Sequence, residues 1–304
     1  MAIYHLSAQV IRRSAGQSCV AAAAYRSGER LVNERDGVTH DYSRKTGVNH
    51  SVVLVPENGL KWMSDRGSLW NQVEECERRQ KAQLAREFNI ALPKELSLSE
   101  QKELIHGFAE SQFVSKGFVA DISIHDAEGN NPHAHVMIPL RSVDESGKYG
   151  FGTKAEGTVA RYFNTKPALA EWREAWAEHA NKALEVANSN ERIDHRTLKE
   201  QGIDREAQVH KGKEATALER RGEGSRRGEQ QKEVDRSNAF RKAFGELDRE
   251  LRADPIKEIE FMQVQARYRQ LEQTHPSLKR WRNDRKGSAE RWAERTRDDR
   301  GFER

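Results

Sequence analysis

Three histidines and one tyrosine carry the chemistry this sequence offers. The histidines lie in His125-Asp-Ala-Glu-Gly-Asn-Asn-Pro-His133-Ala-His135. Side chains alternate along a strand, so residues two apart face the same way, and His133 and His135 share a face. The flanking segments FVADISIHD and PHAHVMIPLR read as two strands of an antiparallel hairpin, with the turn supplied by Ala127–Asn131 and Pro132. That hairpin returns the chain beside His125, at the end of the first strand, so all three imidazoles converge. Three neutral imidazoles with coordination positions left open make a catalytic metal site rather than a closed structural one. The competing reading is three polar histidines at a hairpin end. Imidazole suits Zn, Cu, Fe and Ni, whereas phosphate chemistry more often recruits Mg or Mn, and the ligand types do not separate them.

Tyr25 follows four alanines and precedes Arg26 and Arg30. A phenol on a helix of small residues is free to project, and guanidinium groups at i+1 and i+5 suit a phosphate held near it. The competing reading is an amphipathic tyrosine packed against a core.

These side chains need a frame. Residues 2–12 alternate as a strand, SCVAAAAYRSGERL reads as a short helix, and HSVVLVP is a strand ended by Pro56. THDYSRKTG reads as a strand running into a turn, 67–85 as a charged amphipathic helix, and REFNIALP as a strand. Ser97 with Glu100 marks a helix start for 99–115, and 167–187 form a further helix carrying Trp172 and Trp176. Residues 142–165 are Gly-rich and irregular, 189–230 are polar, and the chain from 231 onward is helical with sparse apolar anchors such as Phe240, Phe244, Tyr268, Leu271, Trp281 and Trp292. Strands and helices in mixed order, with one clear hairpin, predict an α+β two-layer sandwich: an antiparallel sheet with helices on one side, followed by a helical extension. The expected division is a domain over 1–205 and a charged extension over 206–304.

Of the 304 residues, 36 % are apolar and 33 % charged. That composition does not suit one core spread over the whole length. Charge is uneven: 1–207 hold 27 basic and 29 acidic residues, a net of −2, while 208–304 hold 25 and 19, a net of +6. A basic extension suits a polyanionic partner or a solvated helix. Two cysteines make neither a disulfide framework nor a metal cage. The N-terminus does not read as a signal peptide and no run is long enough to cross a membrane, so a cytoplasmic protein without membrane insertion is expected.

Taken together, MAIYHLSAQVIRRSAGQSCVAAAAYRSGERL, REFNIALP, IHDAEGNNPHAHVMIPLR and RIDHRTLKEQGI closely resemble the MobA/MobL family of plasmid mobilisation relaxases over about residues 1–205. These are HUH endonucleases, named for two histidines around a hydrophobic residue, which here is His133-Ala134-His135. The resemblance implies Tyr25 as nucleophile, and His125, His133 and His135 as ligands of a divalent metal, Mg or Mn first with Zn the alternative. It implies a catalytic acidic position at Glu87; where some relatives have a second acid, this chain has Asn89. It also implies strand cleavage through a 5′-phosphotyrosine, single-stranded DNA at a transfer origin as substrate, and accessory mobilisation proteins and a type IV secretion coupling protein as partners. Arg12, Arg13, Arg26 and Arg30 are the candidate DNA contacts. A DNA-binding protein on the same fold with an inert site, a metal-water hydrolase and a rolling-circle replication initiator are the alternatives. In the initiators the histidine motif precedes the tyrosine, whereas here Tyr25 comes first.

Overall fold

The structure, a computed structural model, describes residues 4–152, 165–209 and 211–253, with 266, 267 and 270. It divides into two units, 1–195 and 196–304, ten residues before the boundary expected near 205. The first unit is built on a five-stranded sheet in the order β1-β5-β7-β6-β4, antiparallel throughout. Its strands are β1 (Leu6–Arg12), β4 (Val48–Leu54), β5 (Gln83–Ala91), β6 (Ala120–His125) and β7 (His133–Pro139). Two short strands, β2 (Arg30–Val32) and β3 (Thr39–Asp41), pair separately.

Alternation along the strands sorts the sheet into two faces. Phe88 and Ile90 of β5, Ala134, Val136 and Ile138 of β7 and Ile122 and Ile124 of β6 point to one face and form the larger core. Helices α3 (Leu98–Gln112) and α4 (Lys166–Val186) cover it. Helix α3 begins with the reciprocal Ser97–Glu100 capping box expected from the sequence. Trp172 and Trp176 lie one turn apart on α4, and their rings meet Phe88 and Phe108 edge to face. Burying a side chain of this size contributes about 1.5–3 kcal/mol.

The other face is also covered. Ala85 of β5, Met137 of β7 and Ile11 of β1 pack with α1 (Cys19–Ser27) and α2 (Arg66–Cys76) in a second cluster. The helices therefore lie on both faces, not on one side as the sequence suggested. The cause is visible in the strands: both alternating sets bury side chains, and the second set includes Asp121, whose burial needs partners. Arg66 and Trp70 of α2 supply them, with Arg66 Nη2 at 2.9 Å and Trp70 Nε1 at 2.7 Å. The amphipathic stretch 67–85 splits accordingly, with α2 ending at Cys76 and the chain entering β5 at Gln83.

In the second unit, helices α5 (Gly212–Arg220) and α6 (Arg226–Ala253) follow the polar segment 196–209. Arg241 of α6 pairs with Asp204 and Glu206 at 2.9 and 2.6 Å, laying that segment along the helix. Tyr162, Tyr268, Leu271, Trp281 and Trp292 lie outside the described residues. Among the described residues, no helix is long and apolar enough to cross a membrane.

Candidate active site

The β6–β7 hairpin forms as the sequence requires, and its register decides the site. His125 pairs directly with His133, and Ser123 with His135, so the three histidines occupy the face of the sheet shared with α1. Their ring centroids are 4.9–5.3 Å apart. One nitrogen from each ring lies within 4.8 Å of the others.

The outer nitrogens show that this cluster fits a cation. His135 Nδ1 donates to Glu87 Oε1 at 2.8 Å, His133 Nδ1 to the carbonyl of Asn131 at 2.6 Å, and His125 Nε2 to the carbonyl of Arg26 at 2.6 Å. Each ring is thus held in the tautomer that leaves the opposite nitrogen as a lone-pair donor, the usual arrangement of a metal-ligating imidazole. Burial pulls the proton affinity of His125 down, to about 4, aided by the charges of Lys45, His135 and His133 against the Arg26 carbonyl. Burial also lowers His135, outweighing the pull of Glu87 upward. Both rings are therefore neutral at neutral pH, the form that binds metal.

Glu87 lies on β5, diagonal to His135 across the ladder, and is 1 % exposed. Burial alone would raise its carboxyl, but hydrogen bonds from His135 and Arg26 overturn this and bring it to about 2. Arg26 reaches it with Nε at 2.6 Å and Nη2 at 2.9 Å, and Gln9 Nε2 donates at 2.7 Å. A carboxylate held by four donors has neither the open lone pair nor the proton affinity of a general base. Its work is to fix the ring of His135 and the side chain of Arg26. Asn89 takes the position opposite His135 on the same strand. We expect Glu87→Gln, which keeps shape and loses charge, to weaken divalent-metal binding by roughly 10–100-fold. Calorimetric titration with Mn²⁺ checks this, and unchanged affinity contradicts it.

Helix α1 brings the tyrosine. Ser18 caps its start by accepting from the amide of Ala21. Cys19, Val20, Ala23, Ala24 and Ser27 form the buried stripe, which leaves Tyr25 outward and 38 % exposed. The helix stops at Gly28, whose φ of +71° favours glycine and whose Cβ would lie 3.2 Å from Val48. Residue 26 then joins both halves of the site: its side chain holds Glu87 and its carbonyl receives His125.

The four arginines expected to meet DNA separate into two groups. Arg12 and Arg30 are exposed, Arg30 lying 3.9 Å from Asp41. Arg13 is 9 % exposed, bonds the carbonyls of Glu74, Glu77 and Arg79, and pairs with the Glu74 carboxylate at 2.6 Å. Arg26 is committed to Glu87. Both guanidinium groups are therefore anchored, since neither can leave its carboxylate without stranding a buried charge. Sequence reasoning missed Gln9 and Lys45, and neither has a motif that would have announced it.

A five-stranded antiparallel sheet with an H-x-H pair and a third histidine beside a tyrosine-bearing helix is the HUH relaxase arrangement. The chain belongs to the MobA/MobL family, whose model matches residues 17–221. It is 36 % identical over 280 residues to the mobilization protein MobL of Acidithiobacillus ferridurans, covering 83 % of this chain and 73 % of that protein. It is 36 % identical over 249 residues to the conjugal transfer protein TraA of Agrobacterium fabrum, covering 73 % of this chain but only 22 % of TraA. A solved structure described as "Molecular Basis of Vancomycin Resistance Transfer in Staphylococcus aureus" superposes with a TM-score of 0.61 at 34 % identity. It covers 64 % of this chain and 100 % of that one.

Proposed function

We propose that this protein nicks one strand of DNA at a plasmid transfer origin through Tyr25, stays joined to the 5′ phosphate, and reseals the strand after transfer. The observation that carries the reading is the link through residue 26. The backbone carbonyl next along the chain from the exposed phenol accepts the hydrogen bond that orients His125, so nucleophile and triad are held as one unit.

The phenolic oxygen attacks phosphorus, the bond from phosphorus to the 3′ oxygen breaks, and the strand leaves with a 3′-hydroxyl. The phenolic proton passes to water, which the exposed Tyr25 ring faces, and water returns a proton to the departing 3′ oxygen. The phosphodiester becomes a phosphotyrosine, so attack by a 3′-hydroxyl reverses the step without a further energy source. The donor set of His125, His133 and His135 suits a divalent ion, Mg or Mn for this reaction with Zn the alternative, which would polarise the scissile phosphate when bound. Glu87 orients the ring of His135, and Arg12 and Arg30 remain as exposed cations for the backbone of single-stranded DNA. Accessory mobilisation proteins and a type IV secretion coupling protein are the proposed partners.

Incubation with supercoiled plasmid carrying the cognate origin tests this reading. Relaxed circles with protein bound at one end are expected with Mg²⁺ or Mn²⁺ and none in EDTA. Nicking that persists in EDTA, or nicked circles with free ends, overturns it.

The basic segment 208–304 is proposed to supply DNA or partner contacts and no chemistry. Removing it is expected to weaken DNA binding and flatten its salt dependence, by about 0.7 in the log–log slope for each single-strand phosphate that the segment neutralises. Cleavage of a short oligonucleotide at saturating protein should survive. A folded, soluble 1–207 chain with no cleavage contradicts the assignment.

A further inference from the structure

The ring of Tyr25 projects from its helix, yet it is not loose. The turn after β3 is clipped at three places. The amide of Tyr42 donates to the carbonyl of Glu29 at 3.1 Å, and the amide of Lys45 closes back on the carbonyl of Tyr42 at 2.8 Å. Two residues on, the carbonyl of Gly47 receives the amide of Asp126, next to His125, at 3.0 Å. The turn is therefore fastened to the exit of α1 and to the hairpin that carries the triad.

Its two ends grip the phenol. Tyr42 meets the Tyr25 ring edge to face, with centroids 5.2 Å apart and planes at 85°. Lys45 places its ammonium 4.0 Å from the Tyr25 ring centroid and donates to the Tyr25 carbonyl at 2.6 Å. A cation over an aromatic face and an edge-on ring are both directional contacts, so together they fix the azimuth of a side chain that α1 alone would leave free to rotate.

We infer that Lys45, with Tyr42 as the opposing wall, is a positioning residue that holds the Tyr25 phenol in its attacking orientation. The inference rests on the reading of Tyr25 as nucleophile. An exposed nucleophile gains rate from such a clamp because misplacement by an ångström costs up to about 100-fold.

The experiment compares full-length wild type, Lys45→Met, Lys45→Arg and Tyr25→Phe. The probe is a single-stranded oligonucleotide spanning the nick mapped on the cognate plasmid. Lys45→Met should slow single-turnover adduct formation at saturating protein on the order of 10-fold, with oligonucleotide affinity within about 3-fold of wild type and the same melting temperature. Lys45→Arg, which keeps a cation over the ring, should recover most of the rate. Adduct formation at the wild-type rate in Lys45→Met overturns the inference. So does a loss explained wholly by weaker binding, or a fall in melting temperature that Arg does not reverse. If Tyr25→Phe still forms adduct, the nucleophile reading fails, whatever Lys45→Met does. If Tyr25→Phe is inert and Lys45→Met is normal, the positioning role alone fails.

Discussion

Tyr25→Phe should abolish the denaturation-resistant protein–DNA adduct and lower strand cleavage by on the order of 10³-fold or more. The substitution removes one oxygen from a side chain already 38 % exposed. It leaves intact the buried stripe of α1, the cap at Ser18 and both roles of Arg26, none of which involves the hydroxyl. Folding and DNA affinity should therefore change little, and the loss should fall on the covalent step. Among the described residues, the rival phenols are placed for other tasks. Tyr4 donates to the carbonyl of Arg173, and burial pushes its proton affinity well above that of an ordinary tyrosine. Tyr149 bonds Arg78 at 2.7 Å, away from the triad's strands, and Tyr42 serves as the wall against Tyr25. Gel electrophoresis of denatured reactions with labelled DNA reads the result. An undiminished adduct in the Phe variant contradicts the assignment.

His133→Ala and His135→Ala should each abolish divalent-metal binding and, with it, nicking. Each ring contributes one of three donors, no carboxylate among the described residues joins the group, and two imidazoles hold an open site poorly. The variants differ in what they leave behind. His135→Ala also removes a donor from the buried Glu87, an uncompensated cost of about 1–3 kcal/mol to folding. His133 bonds only a loop carbonyl, so His133→Ala should retain wild-type stability. Calorimetric titration with Mn²⁺, beside a thermal melt, separates the two effects. Wild-type affinity in both variants would mean the ion binds elsewhere.

The hairpin, the capping box of α3 and the convergence of the three histidines were legible in the sequence because each is a local matter. Alternation sets a face, a turn sets a register, and the register brings His125 beside His133. The second layer of helices was not legible. Its cause is the pairing of Asp121 with Arg66 and Trp70, more than 50 residues away, and no periodicity records such a partnership. The same reason hid the anchoring of two arginines. Arg13 and Arg26 look like DNA contacts beside Arg12 and Arg30, but only the fold brings Glu74 and Glu87 against them. Lys45 was hidden for a related reason: it stands in a plain turn, and its value lies in where Gly47 and Glu29 anchor that turn. For Glu87, the resemblance supplied the position. The surrounding donors, chiefly Arg26 and Gln9, hold that carboxylate fixed against His135.

The most direct test of the covalent reading is to identify the residue that holds the DNA. After reaction with a labelled oligonucleotide, nuclease trimming and trypsin digestion, mass spectrometry should find a nucleotide on the peptide Ser14–Arg26, in which Tyr25 is the sole tyrosine. The label should be joined through its 5′ phosphate. A nucleotide on any other tyrosine peptide, or cleaved DNA with free ends and no modified peptide, would contradict the account.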